Sequence, residues 1–329
     1  MTMMTQVSRN ADARQARSLA GIWAAIHTPF RADFALDEKG IRKNLQHFRH
    51  ALRLDGIFCN GLMGEYWSLT LAERKRIHEL ITEEAAPDMG VCPLVNHHSL
   101  AETIDLARHA AQTGCDFVAL LNPPLGPRAD EAVYRFCRQV CDAVRIPVVL
   151  FNTPASGYCM SPQLIARIVK GGNVAALKTT VSETANAAIR AHCRQVIVSD
   201  PHEARWLRNM RKHGQPVLFA DPEPYLFQTA SHKPIVAYTA AFHSGDSRLA
   251  SRLSRSLSPI RAIYAEWIER PLQDGRMPNA ALKVWSSLIG LAAGAVRPPL
   301  VDLPPKQKLL LEEALLAHLS RGVDNHTLC

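Results

Sequence analysis

The chain has 329 residues, enough to bury a large core without disulfide or metal staples. Hydrophobic residues make up 47% and charged residues 21%, a globular balance that excludes wholesale disorder. The net charge of +8 suits anionic small molecules; the basic residues are scattered, and their densest groups (Arg74-Lys75-Arg76 and Arg208/Arg211/Lys212) fall in helix-like stretches that read as solvated faces, not as a nucleic-acid track.

In chain order, residues 1–19 are polar and arginine-rich without a signal core, and read as a flexible tail, a transit peptide being the alternative. From Gly21 on, short apolar runs alternate with amphipathic stretches. Strands are expected over 22–27, 57–60, 91–96, 117–121, 148–152, 174–178, 196–199, 217–220 and 235–239. These runs are almost continuously apolar, as parallel strands covered on both faces must be. Thr70-x-x-Glu73, Ser99-x-x-Glu102 and Thr180-x-x-Glu183 have capping-box form, and Ser161-Pro162 puts proline at a first helical position. Gly56 and Gly114 stand before strands, where helix C-caps belong.

Alternation of this length with short loops means a parallel α/β fold. No Gly-x-Gly-x-x-Gly follows the first strand, which disfavours an open dinucleotide-binding sheet. The sheet either closes as a barrel or stays open and doubly wound; as a (β/α)8 TIM barrel it would span 20–245, followed by a C-terminal helical region over 246–322 and a polar tail, 323–329. A closed barrel holds eight strands, one fewer than the runs counted, so 194–214 is the expected insertion. Helices are expected at 247–270, 280–293 and 306–320, packed on the barrel or on a neighbouring subunit. No apolar run reaches ~18 residues, so no membrane span is expected. The eight cysteines form no CxxC pair, and several, such as Cys59 and Cys92, sit in apolar runs. They read as buried reduced thiols of a cytoplasmic protein.

Three short segments could carry chemistry. Lys178 ends the run 174–177. A lysine there either begins a loop and reaches to solvent, or points into the mouth of the sheet, where α/β sites gather. In the mouth, burial disfavours its ammonium form, and the neutral amine can attack a ketone. Gly61-Leu62-Met63-Gly64-Glu65 follows the second strand; it is either an ordinary turn or a nest of N–H groups for a carboxylate. Asn152-Thr153-Pro154 ends the fifth strand and alone is punctuation.

Taken together with Gly21…Thr28-Pro29-Phe30, the Gly61-x-x-Gly64-Glu65-x-x-x-Leu69-Thr70 stretch, Asn152-Thr153-Pro154 and Leu177-Lys178 resemble the dihydrodipicolinate synthase / N-acetylneuraminate lyase family, in order and spacing over about 20–245. The resemblance implies the barrel with C-terminal helices, a homo-oligomer (tetramer or dimer), and a Schiff base between Lys178 and pyruvate or another 2-oxo acid. It implies no metal and no organic cofactor, and a small-molecule 2-oxo acid as the partner, not nucleic acid or membrane. The chain also departs from the pattern. Phe151 stands where the family usually has a proton-relaying tyrosine, and Leu62 and Met63 where it has Ser or Thr. Leu121 aligns with a further tyrosine, and Leu94 with a glycine. A lost acid–base group is worth ~10²–10⁴ in rate.

Two readings follow. In one, the imine still forms on Lys178, the N–H groups of Leu62 and Met63 hold the carboxylate, and the substrate-binding wall is Leu62, Met63, Leu121, Phe151 and Val236. The proton then comes from elsewhere. His27 is the preferred source, since it alternates with Ala25 along the first strand and titrates near neutrality; its alternative is a hydrogen-bonded core histidine. Tyr66, Asn96, His97 and Tyr238 are weaker candidates. His97-His98 is rejected as a metal pair, having no neighbouring carboxylate. In the other reading the chain is a catalytically impaired sensor or scaffold that binds a 2-oxo acid. True dihydrodipicolinate synthase chemistry is disfavoured by the missing relay, and a sialic-acid substrate by the apolar wall.

Overall fold

The computed structural model describes residues 19–124, 129–219, 221 and 223–324, with side chains as far as 319. Among these residues, eight parallel strands close into a barrel. β1 (Gly21–Ala25), β2 (Gly56–Cys59), β3 (Gly90–Pro93) and β8 (Val217–Phe219) pair in the order β3-β2-β1-β8. β4 (Val118–Leu120), β5 (Val148–Asn152), β6 (Val174–Thr179) and β7 (Ile197–Ser199) pair in sequence order. Leu94 bridges Ala119 across one seam. At the other, Ser199 Oγ donates to the Val217 carbonyl at 2.9 Å, and His202 bridges Asp221.

The period of two along each strand sorts the core into two layers. Trp23, Ala25, Phe58, Leu94, Ala119, Leu121, Val149, Phe151, Ala176 and Phe219 fill the barrel. Ile22, Ala24 and Ile26 face outward and pack under the helices. Lys178, two residues past Ala176, therefore falls on the inward face. Gly56 is the first residue of β2, not a cap. A Cβ on it would stand 2.2 Å from the Trp23 ring, so the inner layer needs glycine there.

The ring of helices is α1 (Glu38–Gln46), α2 (Leu71–Ala85), α3 (Leu100–Thr113), α4 (Asp130–Ala143), α5 (Pro162–Gly171), α6 (Glu183–His192), α7 (Glu203–His213) and α8 (Pro234–His243). Thr70 and Glu73 form the full capping box at α2. Ser99 and Ser161 cap α3 and α5, and Gly114 closes α3 in a left-handed conformation. At α6 the cap is Ser182, two residues beyond the expected Thr180, because the Thr180 N–H still extends the sheet by donating to the Asn152 carbonyl at 3.0 Å.

Two strand expectations change. Residues 197–199 are the true seventh strand and α7 its helix, so 194–214 is no insertion. Residues 235–239 lie inside α8. A short apolar run does not separate a strand from a buried helix by period alone, and Pro234 at the first helical position is the signal that does.

Beyond the barrel come α9 (Ser247–Ser256), α10 (Ser258–Tyr264), a π-helical turn (Ala265–Glu269), α11 (Arg270–Gln273), α12 (Asn279–Leu288) and α13 (Pro305–Asp324). They pack on the barrel through Tyr264, Ile268 and Trp285, all buried, with Trp285 against Phe227. Leu19 is already buried in the inner layer, so the N-terminal tail ends before it; the rest of both expected tails, 323–324 excepted, lies outside the described residues. Arg74 is a further correction. It is buried, not solvated, and donates to the carbonyls of Leu94 and Asn96 at 2.5 and 2.6 Å beyond β3. The described cysteines are free thiols, all buried but Cys159. No described helix is long and apolar enough to cross a membrane.

Candidate active site

Lys178 lies on β6 directly beside Phe151 on β5. It is 4% exposed, and its Nζ stands over the rings of Phe58 and Phe151 at 4.6 and 4.9 Å. Burial pushes its ammonium below the usual lysine range, while Asp221 and Glu223 pull the other way. The amine opens into a cavity of about 380 Å³ at the C-terminal mouth of the barrel. One side is apolar: Ala25, Phe58, Leu62, Met63 and Phe151. The other is polar: Thr180, His202, Asp221, Glu223 and, from the π-helical turn, Glu269.

The 61–65 turn forms the apolar rim. A Cβ on Gly61 would stand 2.4 Å from the Phe58 ring, and the Gly64 N–H closes the turn on the Gly61 carbonyl at 3.1 Å. Asn60 and Glu65 flank it in left-handed conformations, φ 53° and 56°. The turn is pinned from behind. Thr28 Oγ1 donates to the Gly64 carbonyl at 2.7 Å, and Asn279 Nδ2, from α12, donates to the carbonyls of Leu62 and Met63 at 3.1 and 3.0 Å. In a trans peptide the N–H points opposite to the carbonyl, so the Met63 N–H is turned away from Asn279. Neither the Leu62 nor the Met63 amide donates to another described group. Glu65 is fully buried. It pairs with Lys283 at 2.7 Å and accepts the Arg297 N–H at 2.9 Å.

Of the wall expected from sequence, the structure brings Leu62, Met63 and Phe151 together around Lys178. Leu121 belongs to the inner core but does not line the cavity, and its N–H donates to Asn96 Oδ1 at 2.6 Å. Val236 is on α8, off the cavity, because its segment is helical.

His27 is also off the cavity. β1 ends at Ala25, so the alternation that would turn residue 27 inward stops before it. His27 is instead wedged between the barrel and the C-terminal helices. Its Nε2 donates to the Ala292 carbonyl at 2.8 Å, and Nδ1 faces the hydroxyls of Tyr225 (3.3 Å) and Ser286 (3.4 Å). Burial lowers its imidazolium pKa to about 4.

The weaker candidates are structural too. Asn96 Nδ2 holds the carbonyls of Leu121 and Asn122, the Tyr238 hydroxyl donates to Glu203 at 2.6 Å, and Tyr66 lies against Arg74. His97 does have a carboxylate neighbour, Glu102 at 2.5 Å, in the first turn of α3.

Sequence reasoning missed the polar wall. Asp221 and Glu223 follow β8 immediately, and two acids at the C-terminal end of a barrel strand were a readable signal. Glu269 and His202 carried none. Tyr264, on α10, donates to Asp221 Oδ1 at 2.6 Å. His202 Nδ1 meets Asp200 Oδ1 at 2.9 Å, and Asp200 in turn pairs with Arg205 at 3.1 Å. Glu223 is 1% exposed; burial and the adjacent Asp221 push its carboxyl up to about 8, against the pull of Lys178.

Comparison with known proteins places the chain in a family and matches its fold. The model of the Dihydrodipicolinate synthetase family matches residues 18–207. The 4-hydroxy-tetrahydrodipicolinate synthase of Methanothrix thermoacetophila is 26% identical over 90% of this chain and 95% of that protein. That of Pelobacter propionicus is 29% identical over 86% and 93%. Among solved structures, a prophage protein of the dihydrodipicolinic acid synthase family from E. coli K12, in complex with pyruvate, superposes with a TM-score of 0.78 at 23% identity, over 92% of this chain and 99% of that one. The N-acetylneuraminate lyase of Proteus mirabilis gives 0.76 at 20% identity, over 92% and 99%.

Proposed function

The chain belongs to the dihydrodipicolinate synthetase family, whose members are lyases that work through a pyruvate Schiff base, and from that premise we propose that it acts on a pyruvate-type 2-oxo acid through an imine on Lys178. One observation carries this reading: a buried amine, destabilised as ammonium, lying over the rings of Phe58 and Phe151 at the mouth of the barrel. The neutral amine attacks the 2-oxo carbon. The free N–H groups of Leu62 and Met63 receive the carboxylate. The protonated imine then draws in the electron pair released by aldol cleavage, or by removal of a C3 proton, after which the enamine expels a C4 hydroxyl as water; in the reverse direction of the aldol step the enamine attacks an aldehyde. Phe151 shapes the pocket and moves no proton. That argues against the dihydrodipicolinate synthase reaction itself, although curated relatives carry that name.

The enzyme is proposed to use neither metal nor organic cofactor, and to work in the cytoplasm, in keeping with its free thiols. We read it as a homo-oligomer, tetramer or dimer, with the exposed leucines of α13 (Leu309, Leu310, Leu316) as surface available for contact. The test is intact mass after borohydride with a panel of 2-oxo acids, on wild type and Lys178→Ala. A mass gain on wild type alone supports the reading, and no gain with any acid overturns it. Adduct without turnover of any 4-hydroxy-2-oxo acid would leave a 2-oxo-acid sensor.

A further inference from the structure

An imine enzyme needs a group that both gives and takes a proton beside the lysine, and the apolar side of this cavity has none. Glu223, on the opposite wall, lines the same cavity as Lys178, and its Oε2 is buried without a hydrogen-bond partner among the described residues. An unpaired buried carboxyl oxygen is costly, and a catalytic role at a cavity wall is one reason to retain it. Its position is fixed by the chain. Glu223 opens the turn Pro224–Leu226 just beyond β8, and the Leu226 N–H returns to the Glu223 carbonyl at 3.0 Å. The titratable groups facing it are Asp221 from its own loop, Lys178 from β6, Tyr264 from α10 and Tyr225 from the turn itself. The Tyr264 hydroxyl donates to Asp221 Oδ1 at 2.6 Å and also lies against the Glu223 carboxyl, where it favours the carboxylate, and Tyr225 Oη reaches the Ala25 carbonyl at 3.2 Å.

We propose that Glu223 is the catalytic acid and base of this site, moving the protons that position 151, a phenylalanine, cannot move; this rests on the imine chemistry proposed above for Lys178.

The steps balance. Lys178 adds to the 2-oxo carbon, a C–N bond forms, and one proton passes from nitrogen to the new oxygen. Neutral Glu223 then gives its proton to that hydroxyl. The C–O bond breaks, water leaves, and an iminium cation remains beside a carboxylate. The Glu223 carboxylate next takes a proton, either from C3, which yields the enamine, or from a C4 hydroxyl. In the second case the C3–C4 bond breaks, the aldehyde leaves, and the enamine takes the proton back at C3. The carboxyl is held protonated near neutrality by burial and by Asp221, so it begins the cycle in the form the first transfer needs.

The probe is pyruvate in D2O. Proton NMR reads exchange at its methyl group, and borohydride with intact mass reads the adduct, so no acceptor aldehyde need be known. Wild type is expected to do both, with exchange falling above about pH 8, where Glu223 loses its proton. Glu223→Gln is expected to accumulate the adduct slowly but to exchange ~10²–10⁴-fold more slowly. Glu223→Asp, which keeps a carboxylate, recovers part of the rate. Exchange by Glu223→Gln within about threefold of wild type, or a wild type that traps pyruvate without exchanging it, overturns this proposal while leaving the lysine's role intact. If no 2-oxo acid is trapped on wild type, the lysine reading fails and this one with it. Should Glu223→Gln not fold, the wild-type profile decides: exchange that stays flat across about pH 7–10 overturns the proposal.

Discussion

Phe151 and Lys178 sit side by side on neighbouring strands, so a hydroxyl at 151 would project into the same cavity as the amine. This gives a rescue experiment. In a Glu223→Gln background, Phe151→Tyr is expected to restore at least about tenfold of the lost pyruvate exchange, since a placed acid–base group is typically worth ~10²–10⁴. The same change in the wild-type background should add little. Equal gains in both backgrounds would mean the two positions act independently. Lys178 was legible from sequence because strand parity and a C-terminal strand position fix where a side chain points. Glu223 was legible only as an acid beyond the last strand; its meeting with Lys178 and Tyr264, 45 residues before it and 41 after, comes only once the barrel has closed. His27 misled for the opposite reason. Its spacing from Ala25 was right, but spacing carries no information about where a strand stops.

Among the elements, the 61–65 turn depends on α12 more than on the barrel. Asn279 holds two of its carbonyls, and losing such bonds costs roughly 1–3 kcal/mol. Asn279→Ala is therefore expected to weaken 2-oxo acid binding about tenfold, while adduct still forms at saturating acid; titrating adduct yield against pyruvate concentration measures this. The buried Glu65–Lys283 pair makes a sharper prediction. Lys283→Met removes the cation paired with buried Glu65 and should destabilise by about 3–5 kcal/mol. Adding Glu65→Leu should recover most of that in urea unfolding. If the double variant is as unstable as the single one, packing rather than charge is what the pair supplies. The strand–helix alternation and most caps could be read in the sequence, because they are local. The swap of 197–199 for 235–239 as a strand could not, since both are short apolar runs and only sheet closure separates them.

At the scale of the whole molecule, His27 reports how the barrel and the C-terminal helices dock. Its imidazolium is disfavoured in the fold, with a pKa near 4 against an ordinary 6.5. Between those values the unfolded chain binds the extra proton, so the fold is fully favoured above 6.5 and loses stability as pH falls through 4. The loss is ~3 kcal/mol. His27→Gln should flatten that limb in chemical denaturation from pH 7 to about 4. An unchanged slope would assign the acid sensitivity to other groups.

The cavity draws its reactive amine from β6 but part of its outer wall (Glu269, Leu272 and Gln273) from the stretch that joins α10 to α12. Reactivity and selectivity are thus inherited from separate parts of the polypeptide. Replacing 265–273 with the equivalent stretch of a relative should alter which aldehyde is accepted while the covalent step on Lys178 continues at its former rate. In such a layout new substrates can be acquired by rewriting a helical border and leaving the ring of strands untouched.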